Sequence, residues 1–461
     1  MKKGILAAVL TAGFWGQQAN AQINVSPSLK EAIDAGVANS KVLKNEALTL
    51  EKADNERKAV WNKYLPTISA NAAYAYLNND LLLDIPAATL PVTGIQLFEG
   101  NTKTHNEANV FAAGITAKQV LFSGGQIMNG AKALEAQNEG NRYLSAIKQD
   151  ELIKDIIGSF DQLRLLAEAE ALLKESELRL QKETERVEKA IEQGLAVPYD
   201  RDKIKLASLN LASKQAELAG KKQLLYFKLN TLTGYDDQQI DAVDYALTPI
   251  EIDTMLNTDA RNELKAMNSF SKALDYNLKK EQGSLLPTVG AFASYGYASL
   301  FNASSTFPLP VSGNQAQLNL NQATLSPNWM IGGILKWELF GGMERKHKIE
   351  AVKIDQHILA NKKEDAVRMM NLQLKNNLVN YRVQTDRLTI AAQQEKIASN
   401  NLTTAEKQYK LGLIGVTERI SAENDIYEVS LNKVQTLINQ RQAALEAYAA
   451  AQPLIHSIQV K

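Results

Sequence analysis

Along residues 67–77, "TISANAAYAYL", hydrophobic positions recur at every second residue. Ile68, Ala70, Ala72, Tyr74 and Tyr76 share one face; Thr67, Ser69, Asn71, Ala73 and Ala75 share the other. That is the period of a strand with one apolar-aromatic face and one small or polar face. The pattern returns with Val289, Ala291, Ala293, Tyr295 and Tyr297 against Thr288, Gly290, Ser294 and Gly296, Phe292 being the exception. Pro66 matches Pro287, Tyr74 matches Tyr295 and Tyr76 matches Tyr297 at one offset, so half of the chain is duplicated rather than built from short solenoid repeats. A polar excursion follows each strand, over 78–108 and 299–327. A second alternating stretch comes next: Phe111, Ala113, Ile115, Ala117 and Leu121 in one copy, and Trp329, Ile331, Gly333, Leu335, Trp337 and Leu339 in the other. The predicted strands are 67–77, 109–122, 288–298 and 329–340. "KQVLFSGGQ" and "LKWELFGGME" end the second strand of each pair in Gly-Gly, which permits a sharp exit.

After each Gly-Gly the period lengthens. Residues 126–193 and 343–411 are dense in Glu, Lys, Gln, Ala and Leu and contain no proline, which predicts two long helices. Each would be roughly 100 Å long, far outside the globular range, which points to a coiled-coil assembly. Ile153, Ile156, Phe160, Leu163 and Ala167 form a coiled-coil seam, and Leu152, Ile157 and Leu166 beside it widen the apolar surface to serve neighbours on both sides. The helices end at "EQGLAVPYD" and "KLGLIGVTE", where Gly194 and Gly412 suit a C-terminal turn. Returning helices are expected over 199–231 and 416–451, with Asp200 and Glu418 in their first turns, where the helix dipole favours an acid.

Ahead of the first strand, "SLKE" predicts a capping box of Ser28 and Glu31 opening a helix to about Tyr64, with a break near Asn39-Ser40. A helix over 258–284 holds the same place in the second copy. The two repeats are 22–245 and 246–461, and the economical packing stacks two short helices end to end beside each long one.

Composition adds a compartment. Lys2 and Lys3, an apolar run from Ile5 to Phe14 and Ala19-Asn20-Ala21 read as an export signal over 1–21, with the mature chain starting at Gln22. The 461 residues carry a formal net charge of zero, which gives no basic surface for nucleic acid, and no cysteine, which excludes disulfides and thiolate sites. His105, His347, His357 and His456 are scattered, and no P-loop, G-x-S-x-G or H-E-x-x-H is present. We therefore expect no enzyme, no catalytic or metal residues and no cofactor.

Four amphipathic strands cannot close a membrane barrel alone, because open edges are forbidden in hydrocarbon and the smallest common barrels have about eight strands. An oligomer must share one barrel: a dimer would give a filled interior and a trimer room for a pore. Tyr74, Tyr76, Tyr295, Tyr297, Trp329 and Trp337 would then be membrane-interface aromatics, and the excursions 78–108 and 299–327 extracellular loops. A soluble periplasmic coiled-coil scaffold and an exported enzyme on a helical frame are the other classes compatible with this pattern.

The start "SLKEAI", "YLPTI" before the first strand, the two Gly-Gly strand ends, the two Gly-Leu tip turns and the duplication together resemble the TolC family of outer-membrane channel proteins, from about Ser28 to Ala450. The resemblance implies a mostly α fold with a membrane β part. Long antiparallel coiled-coil helices would form a trimeric α-barrel tunnel, and four strands per chain a shared twelve-stranded outer-membrane β-barrel. It implies a homotrimer in outer-membrane lipid that works with a periplasmic membrane-fusion adaptor and an inner-membrane RND or ABC pump in efflux or type I secretion. It assigns adaptor contact to the tip turns Gly194, Leu195, Gly412 and Leu413, and a periplasmic aperture to the acids Asp200 and Glu418. Some members carry a second acid three residues further on; Lys203 and Ser421 stand there in this chain. The same residues also serve as plain helix stops and as dipole compensation.

Overall fold

The alternating stretches pair into one antiparallel sheet of four long strands. The structure, a computed structural model, describes residues 23–460 apart from 85, 87, 90, 95, 99–100, 195, 254, 309–313 and 455–457; the export signal expected over 1–21 lies outside the described residues. In chain order the elements are β1 (Ile23–Val25), α1 (Pro27–Asn39), α2 (Lys41–Trp61), β2 (Thr67–Asp84), β3 (Ala88–Thr89), β4 (Gln96–Phe98), β5 (Asn101–Phe122), α3 (Gln126–Glu192), α4 (Pro198–Thr233), α5 (Asp237–Asp241), α6 (Asn262–Gly283), β6 (Thr288–Pro308), β7 (Gln315–Lys336), α7 (Glu344–Lys410), α8 (Val416–Ala449) and β8 (Ile458–Val460). Two compact units divide the chain, and they are not the two sequence repeats: each takes residues from both halves.

The unit made of 52–137 and 271–358 holds the sheet, in the order β2-β5-β6-β7. Thr67 pairs with Lys118 and Asp84 with Asn101 in one uninterrupted register, and Tyr295 pairs with both Ile115 and Trp329. Tyr74, Phe111, Tyr297 and Phe301 meet on one face, with ring centroids 6.4 Å apart for Tyr74–Phe301 and 6.2 Å for Phe111–Tyr297. The strands are longer than expected. β2 continues from 77 to 84, β5 begins at 101, β6 runs on to 308 and β7 begins at 315, so the polar excursions are largely strand. They read as loops because the face that had been apolar turns polar, yet the alternation itself persists.

Where β5 gives way to α3, Gly124 lies at φ +63° and its Cα stands against the backbone of Gly283; a Cβ there would lie 2.2 Å from the Gly283 carbonyl oxygen. Only glycine meets both demands. In the second copy the left-handed residues are Gly342 and Met343, at φ 62° and 68°, so the exit lies one residue later than Gly341-Gly342 implied.

The unit made of 23–51, 138–270 and 359–460 carries the helical core. Leu29 and Ile33 of α1, Ile153, Ile156, Phe160 and Leu163 of α3, Leu229 of α4, and Ala444, Leu445 and Tyr448 of α8 are buried together. The α3 seam departs from expectation at Ala167, which is exposed; it continues through Ala169, Leu173, Ser176, Leu180, Glu183 and Val187. The line shifts where the neighbours change: Ile153 to Leu163 pack in the cluster that includes α1, α4 and α8, whereas Leu180 and Val187 pack with Ile204 of α4 and Val416 of α8. The expected Ser28 cap also gives way. Pro27 occupies the first turn, where its missing N–H costs nothing, so the cap lies before it: Ser26 Oγ accepts from Leu29 N at 3.2 Å, while Ser28 Oγ donates to the Asp244 carbonyl at 2.8 Å.

The segment joining the repeats is fastened by buried polar side chains. Arg441 donates to Asp161 at 2.8 Å and to the Thr248 carbonyl at 2.7 Å, and Tyr245 donates to Asp161 at 2.8 Å. Gln440 bonds both the N–H and the carbonyl of Ile250. Burial and then the Asp161 carboxylate raise the Tyr245 phenol, so it stays a neutral donor.

Further along, buried Arg261 pairs with Glu263 and donates to Gln373 at 3.0 Å. Burial alone would raise the Glu263 carboxyl, but Arg261 and a backbone hydrogen bond hold it below its ordinary value of 4.5. Its contribution to stability is therefore complete above pH 4.5 and is lost as pH falls through the lower folded value. Acid unfolding followed by circular dichroism is expected to begin later in Glu263→Gln than in the parent protein, relative to each protein's neutral-pH stability. An unchanged acid transition would refute this assignment.

Candidate functional site

Two surfaces carry the residues singled out from the sequence. The first is the tip of the helical unit. Gly194 and Gly412 both adopt φ +72°, and a Cβ added at either would meet no neighbouring atom within 4 Å. Gly194 N donates to the Ile191 carbonyl and Gly412 N to the Tyr409 carbonyl, each at 3.0 Å, closing both helices in the same way. The left-handed backbone is what reserves these positions for glycine. Leu413 is 69% exposed and Leu411 73%, so the second turn presents apolar side chains to its surroundings; Leu195 lies outside the described residues.

The two acids sit in the first turns of α4 and α8, as their spacing required. Asp200 accepts from the Val197 N–H at 3.4 Å, and Glu418 is exposed over Gly415. Both therefore occupy dipole-compensating positions. Lys203, at the place where some family members carry an acid, donates to Thr417 of the other turn and lies 4.5 Å from the Tyr199 ring.

Sequence reasoning missed a buried ion cluster behind the tip. Glu183 of α3 and Arg419 and Glu423 of α8 are all at most 5% exposed. Arg179 bonds Glu423, Ser176 donates to Glu423 at 3.2 Å, Arg186 reaches Glu183 at 3.1 Å, and Arg419 Nε lies 3.7 Å from Glu183. Burial and then the neighbouring Glu183 push the Tyr409 phenol up to about 12. Around these groups Leu180, Val187, Ile204 and Val416 form a small apolar cluster. A readable signal existed: Ser176 and Glu183 occupy seam positions among Leu173, Leu180 and Val187, where an uncharged side chain is the rule.

The second surface is the sheet. β2 and β7 are the edge strands of this sheet, so among the described residues each leaves a row of backbone groups without a partner strand. Tyr74, Tyr76, Tyr295 and Trp329 are exposed on the face that also carries Ile68, Ile115 and Ile331. Trp337 lies just beyond β7 and donates to the Leu285 carbonyl at 3.1 Å, so it marks the other end of the strands. Tyr74 Oη donates to Asn109 at 2.7 Å. Such a face is suited to lipid, with polar tips at its margins.

Among the described residues no three His, Asp or Glu side chains gather as metal ligands, and no helix is long and apolar enough to cross a membrane.

No family model matches the chain, and no curated protein sequence does so at significance. Solved structures do match. The Campylobacter jejuni CmeC outer membrane channel aligns at a TM-score of 0.69 and 14% identity, over 98% of this chain and 95% of its own. A membrane protein from Pseudomonas aeruginosa aligns at 0.72 and 14%, over 94% of each chain. The Neisseria gonorrhoeae MtrE outer membrane channel, solved in its open state, aligns at 0.63 and 16%, again over 94% of each. The chain thus has the fold of outer-membrane channel proteins of the TolC type, with the helices and the four-stranded sheet that its sequence resemblance implied.

Proposed function

We propose that this protein is an outer-membrane channel, the exit duct of an export system. Three copies close their four-stranded sheets into one twelve-stranded barrel, while their helical units form a tunnel through the periplasm. One observation carries the reading: an open-edged sheet with an apolar-aromatic face occurs in a fold shared over 98% of the chain with a channel. Open edges cannot rest in hydrocarbon, so a lipid-facing sheet of this kind has to be closed by further copies. Twelve strands leave room for a pore, whereas eight would be filled by side chains. Extraction from outer membranes as a detergent-stable trimer is the expected result; recovery as a monomer in the soluble periplasmic fraction would leave the scaffold reading in its place.

The tip turns, in this reading, meet a periplasmic membrane-fusion adaptor that links the duct to an inner-membrane RND or ABC pump. Gly194, Leu195, Gly412 and Leu413 provide the contact, and Asp200 and Glu418 border the aperture. Support comes from the matched φ of the two glycines and the exposed Leu413. Valine at either glycine imposes a left-handed β-branched residue, a strain of about 1–2 kcal/mol. Gly194→Val with Gly412→Val is expected to preserve the trimer but abolish export and adaptor crosslinking in intact cells. Normal export would show that the tips are not the docking surface.

A further inference from the structure

The four strands run well past what a bilayer needs. A membrane strand takes about 9–11 residues, whereas β2 has 18, β6 has 21, and β5 and β7 have 22 each. The register lets both faces be followed to the far end. From Ile68 to Tyr76 the lipid-suited face is apolar and aromatic, opposite Ala117, Ile115, Ala113 and Phe111. Beyond Tyr76 that same face becomes polar and charged, Leu82 being the exception. Asn78 opposes Glu107 and Asp80 opposes His105; Asp80 contacts His105 Nδ1 and Lys103 Nζ, both at 2.7 Å, and Asn78 donates to Glu107 at 3.1 Å. It continues on β6 and β7 as Ser304 opposite Asn319 and Thr306 opposite Gln317.

The opposite face changes in the other sense. Within the first stretch it carries Ser69, Asn71, Thr116 and Ser294. Beyond it, the same side presents Leu77 and Leu81 of β2, Leu300 and Phe307 of β6, and Leu318 and Leu320 of β7, with one polar row among them in which Ser305 donates to Asn106 and Asn106 to Asn79. Between β2 and β5 one register is kept throughout, so there the exchange is written in the residues. On β6 a one-residue bulge at Asn302, φ 50°, shifts the register between Asn109–Phe301 and Glu107–Ser304, and that shift turns Phe307 of β6, and with it Leu318 and Leu320 of β7, to this side. Charged side chains on a lipid face are expensive, so hydrocarbon ends at the level of Tyr76, Asn109 and Phe301. Above that level water bathes the charged face. The leucines continue the side that carries Ser69 and Asn71 lower down, which is the lumen of a closed barrel.

We infer that the upper part of the sheet is an extracellular collar whose leucine-rich lining selects apolar or amphiphilic cargo over hydrated ions. This rests on the channel reading above. An apolar ring sheds water and offers a passing apolar surface the same gain as a protein core, whereas a hydrated ion gains nothing there.

The cysteine-free chain allows single-cysteine probes without background. Gln317→Cys, Leu318→Cys and Ile331→Cys would be treated on intact cells with a charged, membrane-impermeant maleimide and with an uncharged alkyl maleimide. Each variant is first checked as a detergent-stable trimer. The expected result is labelling of 317 by the charged reagent, a rate about tenfold lower at 318, and a reversed preference at 318 for the alkyl reagent. Ile331→Cys should resist the charged reagent. Equal rates and equal preference at 317 and 318 would overturn the collar while leaving the channel in place. Labelling of 317 only after the outer membrane is permeabilised would overturn the channel orientation itself, and the collar with it.

Discussion

An arginine at position 331 is expected to abolish recovery of the protein from the outer membrane, while an arginine at position 330 is tolerated. The two residues are neighbours on β7, and Ile331 pairs with Ala293 on the apolar-aromatic face whereas Met330 pairs with Ser294 on the other. Both are exposed in the single chain, at 74% and 54%, so burial within one copy does not distinguish them. Lipid does. Arginine on the lipid face of a barrel costs about 2–4 kcal/mol near the bilayer midplane, and the penalty recurs in every copy that shares the barrel. In the proposed barrel the other face borders the lumen, where a charge stays hydrated. The check is the amount of detergent-stable trimer in outer-membrane fractions for Ile331→Arg and Met330→Arg. Equal yields would mean that this face does not meet lipid.

The second large effect lies in the helical unit. Arg441→Ala is expected to destabilise the protein by about 3–5 kcal/mol, because it strands a buried carboxylate. Asp161 is 2% exposed, and Arg441 is its cationic partner at 2.8 Å. The same guanidinium holds the Thr248 carbonyl, so the joining segment loses an anchor as well. Tyr245 still donates to Asp161, but a neutral donor cannot replace the charge. Urea unfolding of the purified protein followed by circular dichroism measures the loss. Removing the carboxylate too, in Arg441→Ala with Asp161→Asn, should recover part of it, since the uncompensated charge is then gone. An unchanged midpoint in Arg441→Ala would show the pair to be dispensable.

Much of the fold was legible because its signals are local. Alternation at period 2 along Ile68–Tyr76 and Val289–Tyr297 fixes strands, and proline-free Glu/Lys/Leu stretches fix long helices. Gly194 and Gly412 marked the tips because a left-handed turn leaves few residues a choice. Where expectation failed, the deciding interaction was distant in sequence or was a change of environment. The strands beyond Tyr76 and Phe301 were hidden because polarity was taken for the end of pairing, whereas the chain had only exchanged its faces. The ion cluster of Glu183, Arg419 and Glu423 joins residues more than two hundred positions apart, and the seam around Glu183 gave its only local trace.

By itself, the sequence determined the two-fold duplication, the kind of each long element and the places where one gives way to the next, since these depend on backbone preferences and on the spacing of side chains within a few turns. The tertiary structure decided how far the strands pair, which compact units the halves build together, and which charges are buried against each other. Those outcomes are set by hydrogen-bond partners and by removal from water, and both come from parts of the chain that meet only after folding.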